Sequence, residues 1–388
     1  MRMLVLGAGL QGSACAYDLL ANTDHEVVIA DQHVDQLPEF LQPYPGTRLT
    51  AVRVDANDRN AVRGAMEGAA AVMSAFPYYL NFGMAVAALD QGAHFCDLGG
   101  NTEIVLQQKG LHERAADKGL SVVPDCGLAP GMVNILAQHG IRQLDTVRSV
   151  RIKVGGLPQH PQPPLNYQIV YSLEGVLDYY STLSYVLRDG RLTRVEALSE
   201  IEELDFPGVG TLEAFHTAGG ISAMAQRYEG KIPTMEYKTL RYPGHARIME
   251  TIRELGMLDL EEVEVKGGAR VRPRDVFIAQ AGPRLKKDPR TSPDLVALRV
   301  EVEGEKDGEE LTLRWDLLDK YDPQTGITAM MRTTGYSLAI TGVLQATGEI
   351  EPGVWTPDEA MPAAEYIDAL AKRNVMIYEH RLAAAAAR

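Results

Sequence analysis

Met3 Leu4 Val5 Leu6 Gly7 Ala8 Gly9 Leu10 Gln11 Gly12 decides the fold. The four apolar residues read as a buried strand, and the glycines that break it are spaced GxGxxG ahead of a helix over about 11–21. Gly7 permits a tight turn, Gly9 lets backbone approach a pyrophosphate, and Gly12 lets the helix pack closely on the strand. The free N–H groups at the helix start then face the phosphates. With 36 glycines in the chain, such spacing also arises by chance. The context gives it weight, because residues 27–30 form a second strand that ends in Asp31, about twenty residues past Gly12 as the fingerprint requires. A carboxylate there accepts both ribose hydroxyls and repels a 2′-phosphate, which favours NAD over NADP.

Working outward, strand and helix signals alternate: strands at 49–54, 70–75, 94–98 and 120–123, helices at 59–67, 81–91 and 110–118. Repeated βαβ units predict an α/β fold, a Rossmann doubly wound parallel sheet with right-handed crossovers. Ligands bind beyond the carboxyl ends of such strands. Those ends nominate Gly7, Gly9, Leu10, Gln11, Gly12, Asp31, Asp55, Ala75, Phe76, Pro77, Asp97, Leu98, Gly99, Leu128 and Pro130 as cofactor contacts. After about Asn134 the pattern changes. Residues 147–154 read as a strand, 155–164 as a proline-rich ordered loop, and 263–265, 296–303 and 311–318 as half-buried antiparallel strands with a turn at Lys306, Asp307 and Gly308. The expected division is 1–130 plus about 328–388 for the nucleotide domain, and about 131–327 for an inserted α+β domain with a mixed or antiparallel sheet. A long helix is expected over 329–346, and the alanine-rich residues 382–388 are expected to fray.

The 388 residues carry a net charge of -14, with 45% hydrophobic and 23% charged residues. That balance argues against nucleic acid or an anionic membrane as a partner. Three cysteines, Cys15, Cys96 and Cys126, show neither disulfide nor metal spacing, so no metal is expected. The absence of a signal-type leader and of any long apolar run leads to the expectation of a cytoplasmic protein.

Four stretches carry candidate chemistry. In 124–132, Asp125 is placed to orient an ammonium or accept its proton; its alternative role is to fix the loop. In 166–180, Ser172 reads as a helix cap and Tyr171 as a wall for an aliphatic chain, or as plain core. In 212–220, His216 beside Thr217 and two glycines suggests a titrating group near a ligand, or a satisfied core histidine. In 238–245, Arg241 offers a two-pronged grip on a carboxylate, or a surface ion pair.

Together with the N-terminal turn, the stretches VLGAGLQG, VRVDAND, DLGGN, PDCGLAPGMVN, VGGLP, YSLEG, LEAFHTAGG and KTLRYPGH resemble the saccharopine dehydrogenase superfamily, most closely its lysine 6-dehydrogenase branch. The resemblance covers nearly the whole chain. It implies a Rossmann domain completed by C-terminal helices, an inserted sheet domain that helps form a homodimer or larger homo-oligomer, and a site in the cleft between them. The implied reaction is NAD-dependent oxidative deamination at the ε-carbon of L-lysine, giving 2-aminoadipate 6-semialdehyde, which cyclises to piperideine-6-carboxylate. Arg241 matches the superfamily's carboxylate ligand, and Tyr171 an aromatic position lining the substrate slot. Thr217 and His245 join them as expected substrate contacts, and His216 or Asp125 is the expected proton acceptor. Two rival readings stand beside this one: a saccharopine or carboxynorspermidine reductase of the same superfamily, and a non-catalytic NAD-sensing Rossmann protein.

Overall fold

The computed structural model describes residues 1–44, 46 and 48–383. Its first sheet is built from β1 (Arg2–Leu6), β2 (Glu26–Asp31), β3 (Leu49–Arg53), β4 (Ala71–Ser74), β5 (His94–Asp97) and β6 (Ser121–Val123). They lie in the order β6, β5, β4, β1, β2, β3, and every pairing is parallel. This is the doubly wound arrangement, with the order reversing between β1 and β4. The central strands are buried on both faces, which is why Met3, Leu4, Val5 and Leu6 form an unbroken apolar run rather than alternating. The helix expected over 110–118 is His112–Asp117, and a further helix that the sequence did not signal, Thr102–Lys109, precedes it.

The second domain contributes β7 (Thr146–Pro158), β8 (Ser184–Arg188), β9 (Arg191–Val195), β10 (Glu202–Phe206), β11 (Gly210–His216) and β12 (Thr234–Arg241). After a small separate hairpin of two-residue strands, β13 (Val263–Glu264) and β14 (Arg270–Val271), come β15 (Asp294–Lys306) and β16 (Glu309–Lys320). The sheet runs β10, β11, β12, β7, β15, β16, with β8 and β9 attached beside β12. Its pairings are antiparallel except β7 with β12, so the sheet is mixed. Asp307 and Gly308, both at positive φ (53° and 82°), make the tight turn between β15 and β16. Residues 155–158, expected to open a loop, instead continue β7 and pair with β15. Gly155 and Gly156 lie in that strand because a Cβ on either would strike Leu240 or Met330.

The end of the chain divides between the two domains. The helix Ala329–Ala346 lies over the first sheet, crossing the helix Leu10–Asn22 so closely that a Cβ on Gly335 would lie 2.7 Å from the Ala14 Cβ. Within it, the Gln345 side-chain amide donates to the carbonyls of Phe95 (2.9 Å) and Ser121 (3.0 Å). The short β17 (Gly353–Val354) then pairs with β6 as the seventh strand of the first sheet. The last strand, β18 (Ile377–Ala383), pairs antiparallel with β16 in the second sheet. The expected return of 328–388 to the nucleotide domain therefore needs correction for 377–383. Leu382 and Ala383, expected to fray, are strand residues, while 384–388 lie outside the described residues. Among the described residues no helix is long and apolar enough to cross a membrane.

Arg373 ties the returning segment to the first domain by donating through Nε to Asp18 Oδ1 at 2.6 Å. Asp18 is 1% exposed at its side chain, and burial raises its proton affinity against the pull of Arg373. Replacing Arg373 with Met strands a buried charge, an effect of about 3–5 kcal/mol. Urea unfolding at pH 7 should register a loss of that size, whereas Arg381→Met, at an exposed guanidinium, should move the midpoint little.

Candidate active site

The glycine turn takes the shape the sequence requires, each glycine for its own reason. Gly7 has φ of 102°, and a Cβ on Gly12 would fall 1.9 Å from the Gly7 carbonyl oxygen. Gly9 faces open space, with nothing within 4 Å of where its Cβ would be. It caps the helix Leu10–Asn22 without a side-chain acceptor, and the first turn holds no acid, so the leading N–H groups keep no internal anion. Asp31 Oδ2 accepts from Ala8 N–H (2.8 Å) and Oδ1 from His33 N–H (2.9 Å), fixing the carboxylate beside the turn. Both polar atoms of the Gln11 amide are buried without a hydrogen-bond partner. Open space at Gly9, an uncapped helix start, an anchored carboxylate and an orphaned amide fit a dinucleotide. Ala75 packs against the turn, with its carbonyl 3.1 Å from the Cβ position of Gly7, and Phe76 and Pro77 lead into the helix Tyr78–Asp90.

Beyond β5 and β6 the chain builds a dry, acidic corner. Asp97 is fully buried; its Oδ1 accepts from the N–H of Gly99 (2.7 Å) and Asp125 (3.4 Å), and its Oδ2 from the Gln108 amide (2.7 Å). Asp97, expected as a cofactor contact, thus spends both oxygens on holding the loop. Leu128, also expected there, is 4% exposed and packs in the core. Leu98 lies beside it, 3.7 Å from the Cβ position of Gly127, and Pro130 closes the loop through a cis bond from Ala129. Asp55 sits at the surface after β3, where its Oδ1 takes Gln32 and Asn57 and so joins two loops.

Asp125 is 1% exposed and held at φ 63°, a conformation rare outside glycine. Its Oδ1 accepts from Gly100 N–H at 3.2 Å, and its Oδ2 accepts from the hydroxyl of Ser222, which belongs to the second domain. Gly99 has no room for a side chain, since its Cβ would lie 1.6 Å from Asp125 Oδ1. Burial pushes Asp125 up to about 7; the Ser222 bond lowers it and the nearby charge of Asp97 raises it. Asp97 itself is pushed up to about 6, again chiefly by burial. A buried carboxyl shifted toward neutrality at the carboxyl ends of the strands is a candidate acid or base.

The second domain contributes a buried arginine. Arg241, 2% exposed, donates through Nε to the Tyr180 hydroxyl (3.1 Å) and through Nη1 to the Leu240 carbonyl (2.8 Å), and it lies over the Tyr167 ring at 4.8 Å. No carboxylate pairs with it among the described residues. Behind it, His245 donates through Nδ1 to the Leu165 carbonyl (3.0 Å), because a carbonyl can only accept. Its Nε2 therefore accepts from Tyr180 (2.9 Å), so each proton in the series Arg241, Tyr180, His245 has a fixed direction. Burial and the Arg241 charge push His245 down to about 3, keeping it neutral. His245, expected to touch substrate, instead buttresses the arginine through Tyr180. Tyr171 lies within electrostatic range of both Arg241 and Tyr179, and Tyr179 of Asp125, so tyrosines link the two ends of the site. Tyr179 presses so close to Gly219 that a Cβ there would fall 2.9 Å from its ring. Thr217 shares a hydrogen bond of 2.8 Å with Thr239 across β11 and β12.

His216 lies elsewhere. It is fully buried, with Nδ1 donating to the Tyr237 carbonyl (3.2 Å) and Nε2 at 3.1 Å from Glu200, while Arg188 reaches Glu200 and Glu236, each at 2.7 Å. These partners belong to the second domain, so His216 knits a polar cluster and does not meet Asp125. Glu200, His216 and Glu236 are spaced closely enough to hold a metal ion, but Arg188 already supplies the positive charge they share. Ser222 and Tyr179 had no signal of their own: the serine follows the GG of LEAFHTAGG by two positions, and the tyrosine falls in a helix read for its cap.

The parallel sheet, glycine turn and facing second domain define a two-domain dinucleotide-binding protein. Residues 3–123 match the profile described as the saccharopine dehydrogenase NADP binding domain and 127–375 that of the saccharopine dehydrogenase C-terminal domain, so the chain belongs to the saccharopine dehydrogenase family. It is 26% identical over 273 residues to the mitochondrial alpha-aminoadipic semialdehyde synthase of Mus musculus, a match covering 67% of this chain and 29% of the mouse protein. It is 24% identical over 267 residues to the NADP-linked, L-glutamate-forming saccharopine dehydrogenase of Schizosaccharomyces pombe, covering 66% of this chain and 58% of the relative. The chain therefore spans under two thirds of the length of these relatives. The fold is that of the apo L-glutamate-forming saccharopine dehydrogenase of Saccharomyces cerevisiae, with a TM-score of 0.81 at 18% identity over 98% of this chain and 100% of the other. The homospermidine synthase of Legionella pneumophila in complex with NAD gives 0.69 at 12% identity over 98% and 91%.

Asp125 also sets a stability signature. A carboxyl whose proton affinity rises on folding holds a proton in the native state that the unfolded chain has released, so its contribution is present below about pH 4 and is lost as pH climbs toward 7. Asp125→Asn removes that loss. Relative to wild type, the variant should gain stability between about pH 4 and pH 7 by up to a few kcal/mol, read from urea midpoints across that range.

Proposed function

We propose that the protein is a nicotinamide-dependent oxidoreductase that oxidatively deaminates the ε-amino group of L-lysine, with NAD as cofactor. The observation that carries this reading is Arg241, a buried guanidinium with no acidic partner among the described residues, connected through Tyr171 and Tyr179 to Asp125, which burial pushes up to about 7. A substrate with one carboxylate at one end and an amine at the other matches that pair. Gly7, Gly9, Gln11, Gly12 and Asp31 would hold the dinucleotide, and Ala75, Phe76, Pro77 and Gly99 would border its nicotinamide end. When bound, the nicotinamide supplies an acceptor for the hydride lost from C6 of the substrate.

The chain's own residues do the rest. Arg241 holds the α-carboxylate, oriented by Tyr180 and His245. Tyr171 walls the aliphatic chain. Asp125 accepts a proton from the ε-ammonium, which cannot give up hydride while charged. Water then hydrolyses the substrate imine to 2-aminoadipate 6-semialdehyde and ammonia, and the aldehyde cyclises to piperideine-6-carboxylate. Asp31 supports NAD, since a fixed carboxylate accepts ribose hydroxyls and repels a 2′-phosphate. The family profile is described by NADP and the Legionella neighbour holds NAD, so the coenzyme is decided by assay. This reading takes the working molecule as a cytoplasmic homodimer or larger homo-oligomer, and sedimentation of the purified protein would test its assembly.

A saccharopine dehydrogenase is the second reading, favoured by the fold match to the yeast enzyme. Purified protein with L-lysine and NAD, followed by absorbance of the reduced nicotinamide, should turn over fastest near pH 10, where the free ammonium titrates at about 10.4. Turnover of saccharopine with lysine inert would overturn the lysine reading, and silence with both would favour an NAD-sensing role. Arg241→Ala should raise the lysine KM at least as much as it lowers kcat; a loss in kcat alone would remove the carboxylate role. Asp31→Ser should shrink the preference for NAD over NADP about tenfold or more, on the order of one charge-assisted hydrogen-bonding partner.

A further inference from the structure

Asp125 and Ser222 face one another across the domain boundary, and both hold left-handed backbone, φ 63° and φ 49°. Ser222 is 7% exposed and follows Gly219 and Gly220, of which the first adopts φ 89° and the second packs against the Tyr237 ring. A serine at positive φ is uncommon, and two such residues joined by a hydrogen bond mark a place where the surrounding structure enforces an unfavourable backbone. The bond has one possible sense when the carboxyl is ionised: the hydroxyl donates and Oδ2 accepts. We propose that Ser222 is a positioning residue for Asp125, delivered by the second domain to orient the carboxyl and hold it in its ionised form. The proposal deepens the lysine reading, in which Asp125 takes the substrate's proton, and rests on it for the consequence in turnover.

Several other groups act on Asp125. Asp97 comes from the end of β5, Asp358 from the short helix Pro357–Ala360, where it pairs with Arg227, and Tyr179 from the helix Leu173–Ser181. Both aspartates disfavour a further negative charge, and the Gly100 N–H and the Ser222 hydroxyl favour it. The N–H is supplied by the same domain as Asp125, and Ser222 alone of these two donors comes from across the cleft. Without the Ser222 hydroxyl, Asp125 keeps its acidic neighbours and loses one donor. The hydroxyl from the second domain therefore completes the pair of donors that favours the ionised carboxyl.

Two variants test this together. Ser222→Ala removes the hydroxyl and keeps the backbone cost, while Ser222→Gly removes the hydroxyl and relieves that cost. The carboxyl is read without substrate, by infrared titration of its protonated band, assigned through its loss in Asp125→Asn. Both variants should move the midpoint to higher pH by about one unit, the size expected for a hydrogen bond to a charged group. An unmoved midpoint in both variants, or a shift in the alanine variant that glycine abolishes, overturns the proposal, the second outcome assigning Ser222 to backbone shape alone. The readout does not depend on turnover, so a failure of the lysine reading appears separately, as wild-type protein that titrates as expected but oxidises no lysine. In active protein, the acid limb of kcat/KM should follow the same upward shift.

Discussion

One fully buried carboxylate, Asp97, gathers donors from separate stretches of chain, three of them Gly99 beside it, Gln108 on the following helix and Asp125 in the next crossover. Removing any one of them would leave part of a buried charge unsatisfied, so the three stretches are held in a single geometry. That geometry leaves Gly99 no space for a side chain and turns Asp125 into a left-handed conformation that aims its carboxyl across to the second domain. The shape of the Pro124 to Gly131 loop follows, with Gly131 at φ 127° where a Cβ would strike the Gly127 carbonyl. The acid facing the cleft is in this sense a product of the acid behind it.

The nucleotide half was legible because its constraints are local. A glycine turn must be glycine for reasons of a few ångströms, and an apolar run buried on both faces announces a parallel strand without any knowledge of its neighbours. The helix over 329–346 was legible for the same reason. The strands between 184 and 241 were not. β12 carries Glu236, Lys238 and Arg241, all buried, each satisfied by partners far away in sequence. Its charges hide the period on which a strand is recognised, and only the fold supplies the partners that make their burial tolerable.

The same distinction runs through the candidate site. Arg241 and Asp125 stood out as residue types in stiff surroundings, and both prove to be buried, one in each domain. His216 had the right chemistry in the right motif but satisfies its ring nitrogens within its own domain. His245 was read as a contact and lies one layer back, where its neutral ring accepts the Tyr180 proton. A single arginine without an acid is expensive to bury, with a penalty on the order of several kcal/mol. The tyrosine and histidine behind it orient its guanidinium without neutralising it, which keeps the attraction for an anion intact.

The path of the chain bears on how the two halves move. It passes from the first sheet to the second between β6 and β7, returns between β16 and the helix Ala329–Ala346, and crosses again before β18 joins the far edge. Two bodies joined by one linker tumble freely, and two linkers leave a swing. Three covalent crossings, with a buried apolar core that runs on from one sheet to the other, bind the halves by chain and by packing together. The relative placement of the two sheets is therefore held at several points along the chain at once rather than at a single joint.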